Sequence, residues 1–223
     1  MLCSWEKLPI EFQSEEVRPY WECLKKKKVS RFLMRMFDFF VSFFALIILL
    51  PFFVIVGVII KCTSKGPVFY RQVRVTRYGK EFRIFKFRTM IQDADKKGTL
   101  VTTSNDSRIT NFGRFLRKTK IDELPQLINV LIGQMTFVSA RPEVKKYVDM
   151  YTNEYLATLL LPAGITSSAS VKYKDEESLI RNAKDVDDVY INRILPDKMK
   201  YNLEDIKKYN FFREIGLIFK TVL

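Results

Sequence analysis

The sequence predicts an α+β protein, mainly helical: an N-terminal re-entrant membrane helix broken at Pro51, followed by a compact domain with short strands and amphipathic interfacial helices. Three observations carry this. Phe39 to Ile60, "FFVSFFALIILLPFFVIVGVII", has no charged residue and is interrupted by Pro51. "KEFRIFKFRTM" (residues 80–90) alternates apolar and basic side chains, as half-buried strands do. Apolar residues at helical spacing recur at Leu124, Leu127, Ile128 and Leu131, and again from Phe211 to Val222.

With 223 residues the chain can hold one domain with a real core plus appendages. Its 38 Lys and Arg against 25 Asp and Glu leave a formal charge of +13, which points to anionic partners: nucleic acid, lipid headgroups or phosphorylated small molecules. There is no histidine, so histidine triads, histidine general bases and His-ligated zinc are excluded. Cys3, Cys23 and Cys62 are scattered, which argues against a disulfide framework and for a reducing compartment. Any chemistry must come from carboxylates, amines, guanidiniums or hydroxyls.

Residues 1–30 read as a polar, partly aromatic lead-in ending in a lysine run, either a short helix or a disordered arm. The apolar run, within a unit spanning residues 31–62, is long enough to cross a bilayer, which takes about 20 residues. Both flanks are basic, however: Lys25 to Lys28, Arg31 and Arg35 precede it, and Lys61, Lys65, Arg71, Arg74 and Arg77 follow. Cytoplasmic flanks carry Lys and Arg. Pro51 cannot donate to the Ile47 carbonyl, so a bend is expected there. Arms of about 12 residues at 1.5 Å each would rise about 18 Å, short of a crossing. A helix that enters and returns satisfies both the charges and the proline; a kinked spanning helix is the alternative that the residues leave open. The flanking lysines suit anionic membrane lipids.

In residues 63–223, "TSKGPVFYRQ" opens with a Gly-Pro turn and passes into an alternating stretch. "KKGTLVTTSNDSRIT" reads as a polar loop, with Asp106 either a turn residue capping toward Arg108 or an acid standing behind the site, the turn being the favoured reading. Thr110 then caps a helix carrying Phe112, Phe115 and Leu116. A second helix containing Asp122 follows and ends at Gly133, and "MTFVSARP" is a short strand leading to a basic loop. Residues 143–161 have helical periodicity, "PAGITSSASVKYKDEE" is turn-rich, and Asp175 to Glu177 suit a helix start. The stripe from Phe211 to Val222 fits either the core or a membrane interface.

Asp122 and Glu123 stand together in this basic chain, beside an apolar helix. Acids favour helix N-termini because they complement the dipole and cap free N–H groups, and Pro125 fits a first helical turn. The pair by itself therefore has two readings, capping and chemistry, and a phosphate held at a helix N-terminus would make them compatible.

Taken together, Arg35, Phe37-Asp38, the apolar run with its proline, "KGPVFYRQVRV", "GKEFRIFKFRTM", "DSRITNFGRFLRKTKIDELPQLINVLIGQM" and Arg141-Pro142 resemble the bacterial sugar transferase family, the monotopic phosphoglycosyl transferases, from roughly Arg31 to Thr166. The resemblance implies transfer of a sugar-1-phosphate from a UDP-sugar to a polyprenol phosphate, undecaprenyl phosphate being the expected acceptor, with release of UMP. It makes Asp122 the nucleophile that forms an aspartyl-phosphosugar, and Glu123 a helper and Mg²⁺ ligand together with Asp122. Lys86, Arg88, Arg108, Arg117 and Arg141 become the substrate phosphate-binding cations, with Arg88 and Arg141 foremost. Pro142 belongs to the nucleotide loop, and Pro51 to the membrane break. The resemblance also implies a bacterial cytoplasmic membrane location with the catalytic domain on the cytoplasmic face, and a role in starting membrane glycoconjugate synthesis. Partners are then UDP-sugar, polyprenol phosphate and anionic lipids, with no nucleic acid; a homodimer stays open. Leu50 stands where the family has serine, Ser139-Ala140 where it has Gly-Pro, and "PAGITSS" where it has "PGITG". The rival class is a nonenzymatic membrane-surface protein, either a catalytically impaired scaffold or a basic nucleic-acid binder. The retained Asp-Glu pair speaks against the scaffold, and no nucleic-acid module is present.

Overall fold

The computed structural model describes residues 2–92, 94, 106–173 and 186–222. The expected polar loop falls largely within 95–105 and the acidic helix start at 175–177; both lie outside the described residues. In chain order the regular elements are α1 (Arg18–Lys26), α2 (Lys28–Thr63), β1 (Phe69–Val75), β2 (Glu81–Phe87), α3 (Asn111–Lys118), α4 (Gln126–Leu131), β3 (Met135–Val138), α5 (Lys145–Val148), β4 (Ala163–Thr166), α6 (Ser168–Lys172), α7 (Val186–Val189), α8 (Leu195–Lys207) and α9 (Phe211–Val222). Helix dominates, as expected.

The N-terminal lead-in is folded. Two 3₁₀ turns, Trp5–Lys7 and Ile10–Phe12, precede α1, whose Pro19 falls in the first turn where its missing N–H costs little. Leu8, Phe12, Val17, Tyr20, Trp21 and Leu24 are buried against Val75, Tyr78, Leu160, Leu203, Ile206 and Tyr209. Trp21 Nε1 donates to the Cys3 carbonyl (3.0 Å) and the Cys3 N–H donates to Tyr78 Oη (2.8 Å). These residues complete a core shared with α8 and the β1–β2 turn.

Helix α2 has 36 residues and continues through Pro51, which does not interrupt it. Only 17% of its most apolar 18-residue window is buried in the protein, so it is not an ordinary core helix. Ile48 is 75% exposed beside Pro51. Both of its arms dock on the rest of the chain. In the N-terminal arm, Arg35 Nη1 and Nη2 donate to the Val130 and Leu131 carbonyls (2.7 and 2.8 Å), capping the end of α4. Asp38 Oδ1, buried, accepts from the Phe137 N–H of β3 (3.0 Å). In the C-terminal arm, Phe53, Val56 and Ile60 pack with Phe87 and Leu116.

β1 and β2 pair antiparallel, from Phe69 opposite Phe87 to Val75 opposite Glu81. They are joined through Tyr78 (φ 60°) and Gly79 (φ 71°), the positive dihedrals whose twist suits a tight hairpin. β3 and β4 pair parallel. A Cβ on Gly164 of β4 would lie 2.1 Å from the Ser139 carbonyl oxygen, so glycine is needed for β4 to approach the chain leaving β3. Thr110 caps α3 as expected, its hydroxyl accepting from the Gly113 N–H (2.9 Å). The helix expected around Asp122 begins only at Gln126, and Gly133 follows its end with φ 83°. Its buried face is Gln126, Leu127, Asn129 and Val130, while Leu124, Ile128 and Leu131 of the expected stripe are half-buried.

Candidate active site

Asp122 and Glu123 lie in a 3₁₀ turn, Ile121–Glu123, between α3 and α4. Lys120 enters this turn with φ 58°, a left-handed conformation that costs an L side chain on the order of 1 kcal/mol and tends to be kept at functional sites. No side chain caps the turn, and none caps α4. Capping therefore does not explain the acids.

The two carboxylates are held differently. Glu123 Oε1 accepts from Lys86 Nζ (2.8 Å), and Arg141 Nη2 donates to Oε1 and Oε2 (2.8 and 3.0 Å). Burial would raise the Glu123 carboxyl, but Arg141 and Lys86 outweigh it and hold it well below the usual carboxylate range. A group so firmly ionised cannot shuttle a proton near neutral pH; it can gather two cations at a fixed point. Asp122 is buried, and its Oδ1 has no hydrogen-bond partner. Burial pushes its carboxyl up, opposed by Lys86, with Glu123 adding to the rise and Arg117 and Lys120 again lowering it. An unpartnered buried carboxylate oxygen costs free energy unless something uses it.

Buried Asn129 sets the spacing between these elements. Its Oδ1 accepts from the Phe85 N–H (2.8 Å) and its Nδ2 donates to the Arg83 carbonyl (3.0 Å). Its amide thus pairs with the open edge of β2 as a neighbouring strand would, fixing α4 beside Lys86. The sequence reading gave Asn129 no role; the available signal was a polar residue within an apolar helical run. Gln126, fully buried with an unpartnered Nε2, was missed for the same reason.

The five expected phosphate-binding cations divide four ways. Lys86 and Arg141 converge on Glu123. Arg117 acts electrostatically on Asp122 from α3. Arg108 is engaged elsewhere: its Nε and Nη2 grip Asp106 (2.9 and 2.6 Å), its Nη1 donates to the Ala94 carbonyl (2.8 Å), and Asp106 is held down at about 2 by this pairing. The turn role read for Asp106 is present, since its Oδ1 also accepts from the Arg108 N–H. Arg88 is buried at the C-terminal end of α2, where Nη2 donates to the Ser64 carbonyl (2.7 Å) and hydroxyl (2.8 Å). Its Nε and Nη1 have no partner. Arg88 thus caps the end of α2 through Nη2 alone, with Nε and Nη1 left over. Pro142 is buried, its carbonyl accepting from Arg74 Nη1 (3.2 Å), and Pro51 is exposed on α2.

Among the described residues no three Asp, Glu, Cys or His side chains converge as a metal site. Mg²⁺ is usually held by one or two carboxylates with substrate phosphates and water, and Asp122 Oδ1 fits that use. Glu123 fits it less well, because both of its oxygens are ion-paired.

A family model described as "Bacterial sugar transferase" matches residues 29–223. The chain belongs to the bacterial sugar transferase family. The chain is 32% identical over 197 residues to a UDP-N-acetylgalactosamine-undecaprenyl-phosphate N-acetylgalactosaminephosphotransferase of Aeromonas hydrophila, an alignment covering 87% of this chain and 44% of the relative. It is 31% identical over 198 residues to a UDP-glucose:undecaprenyl-phosphate glucose-1-phosphate transferase of Klebsiella pneumoniae, covering 87% of this chain and 40% of the relative. It is 36% identical over 146 residues to a putative undecaprenyl-phosphate N-acetylgalactosaminyl 1-phosphate transferase of Bacillus subtilis, covering 65% of this chain and 80% of the relative. The chain thus spans less than half the length of the first two. Residues 2–28, which complete the core around Trp21, precede the part that the family model matches.

Proposed function

We propose that this bacterial sugar transferase is a phosphoglycosyl transferase that moves a sugar-1-phosphate from a UDP-sugar to a polyprenol phosphate. The observation that carries this is the contrast within one turn: Glu123 is saturated by Lys86 and Arg141, while buried Asp122 keeps an oxygen with no partner. In this reading an ionised Asp122 oxygen attacks the sugar-linked phosphorus. The phosphoanhydride bond breaks, UMP departs with the bonding electrons, and an aspartyl-phosphosugar remains. A polyprenol phosphate oxygen then attacks the same phosphorus, and Asp122 is released as its carboxylate. Phosphoryl transfer needs cations around the equatorial oxygens more than a strong base. Lys86, Arg141 and Arg117 supply them, and Glu123 keeps the first two at a fixed separation. Mg²⁺, held at Asp122 by substrate phosphates and water, would neutralise further phosphate charge.

The same reading makes the protein monotopic, with α2 dipping into one leaflet of the bacterial cytoplasmic membrane and the site on the cytoplasmic side. Its support is that Arg35 and Asp38 in one arm, and Phe53 to Ile60 in the other, dock on one body while the stretch between them presents apolar side chains outward. A crossing helix would have to place those two arms on opposite sides of a bilayer about 30 Å thick.

The test is UMP release from a panel of UDP-sugars, with undecaprenyl phosphate and Mg²⁺ in detergent. Release with at least one donor, dependent on the acceptor for turnover, is expected. No release from any donor by a folded preparation would point to the scaffold instead.

A further inference from the structure

We propose that Glu143, Tyr190 and Lys198 form a buried positioning unit that holds Arg141 against Glu123, so that the C-terminal helical segment sets the geometry of the candidate active site. This rests on the functional reading above for its kinetic consequences. Arg141 is on a stretch without regular structure between β3 and α5, and its side chain is 39% exposed. A long, half-exposed guanidinium keeps one position only if its backbone is fixed. The backbone is fixed on one side by the hairpin: Arg74 Nη1 donates to the Pro142 carbonyl, and the Val75 N–H donates to the Glu143 carbonyl (2.9 Å).

On the other side the Glu143 carboxylate points into the protein. Its Oε1 accepts from Tyr190 Oη (2.5 Å), Lys198 Nζ lies 3.6 Å from the same oxygen, and Lys198 Nζ donates to Tyr190 Oη (3.2 Å). Glu143, Tyr190 and Lys198 are 8%, 6% and 8% exposed, so all three are nine-tenths buried. Taking an ion pair out of water is costly before the two charges meet, and apolar side chains of equal volume are often no worse. A buried pair is better suited to fixing one arrangement than to adding stability. Tyr190 also opens a π-helical turn, Tyr190–Ile194, between α7 and α8, an irregularity found frequently at functional sites. Two residues after Arg141, the loop is thus tied to a segment nearly fifty residues further along the chain.

The experiment uses the full-length protein and the pair variant Glu143→Gln/Lys198→Met, which removes both charges of the pair together. Thermal unfolding establishes that the variant folds. Two readouts follow. The first is Arg141 modification by an arginine-selective dicarbonyl, mapped by mass spectrometry, with Arg117 as the internal reference. Arg141 should become several-fold more reactive in the pair variant while Arg117 does not change; unchanged Arg141 reactivity in a folded variant overturns the proposal. The second is a double-mutant cycle on UMP release. The pair variant should lower kcat roughly tenfold to a hundredfold, the scale of a misplaced catalytic group, yet add nothing once Arg141 is alanine. Equal losses in both backgrounds would mean that the cluster acts independently of Arg141 and would overturn the proposal. If wild type releases no UMP at all, the functional reading fails, and the modification readout still decides the positioning claim.

Discussion

Asp122 combines two properties seldom left together in a folded chain, a buried carboxylate and an oxygen without a partner. As a cap it would be replaceable by asparagine, which caps about as well. As a nucleophile it is not. Asp122→Asn should abolish UMP release and leave the unfolding midpoint unchanged or slightly raised, because a buried charge is removed. The pH dependence follows from the upward shift that burial gives Asp122. In the proposed reaction its ionised form attacks, so turnover should fall as pH drops through a midpoint above the ordinary carboxylate value of 3.8. The stability contribution has the opposite sign: a raised folded-state pKa means that protonation favours the fold, so this residue stabilises as pH falls and destabilises once ionised. An acid limb at or below the ordinary value in the wild-type rate profile would contradict the assignment. Arg88 yields a different expectation. Its Nη2 satisfies Ser64 at the end of α2, so Arg88→Ala should lower stability by about 2–3 kcal/mol in chemical denaturation. Unchanged stability with lost activity would return Arg88 to direct phosphate binding.

At the scale of elements, patterns with one local cause were legible in the sequence. Thr110 as a cap, Asp106 turning onto Arg108, the alternating β2 and the strand at Met135–Val138 all depend on residues close in the chain. Elements fixed by distant partners were not legible. The N-terminal lead-in was open between a short helix and a disordered arm; α1 is that helix, and what no local pattern announced is that Trp21 and Phe12 are buried against residues from positions 75 to 209. Trp21→Ala should therefore cost about 3–5 kcal/mol; a loss below 1 kcal/mol in denaturant melts would mean that the lead-in is dispensable. The Asp122 helix was read too early because the apolar period extends back through a 3₁₀ turn. At the site, the Asp122–Glu123 pair and the cations Lys86 and Arg141 could be named from their motifs, whereas Asn129 and Glu143 act through tertiary contacts that no local pattern announces. For α2, membrane-impermeant labelling of Lys28→Cys and Lys65→Cys, each in a background without Cys3, Cys23 and Cys62, should find both sites shielded from outside intact cells. Labelling of either from outside would contradict the re-entrant reading.

At the scale of the whole molecule, one body gathers what the proposed chemistry requires. A basic protein of net charge +13 carries an apolar helix docked by both arms, and beside it a clamped glutamate and an unpartnered aspartate lie within one turn. The central claim is that Asp122 carries the phosphosugar between donor and acceptor. The most direct measurement is intact-protein mass spectrometry after incubation with the UDP-sugar that supports turnover, Mg²⁺ and no polyprenol phosphate, followed by peptide mapping. The account predicts one added phosphosugar per chain on the peptide containing Asp122, release of one equivalent of UMP, discharge of the adduct when undecaprenyl phosphate is added, and no adduct on Asp122→Asn. Steady turnover by wild type with no adduct at any time, or an adduct that persists on Asp122→Asn, would contradict it.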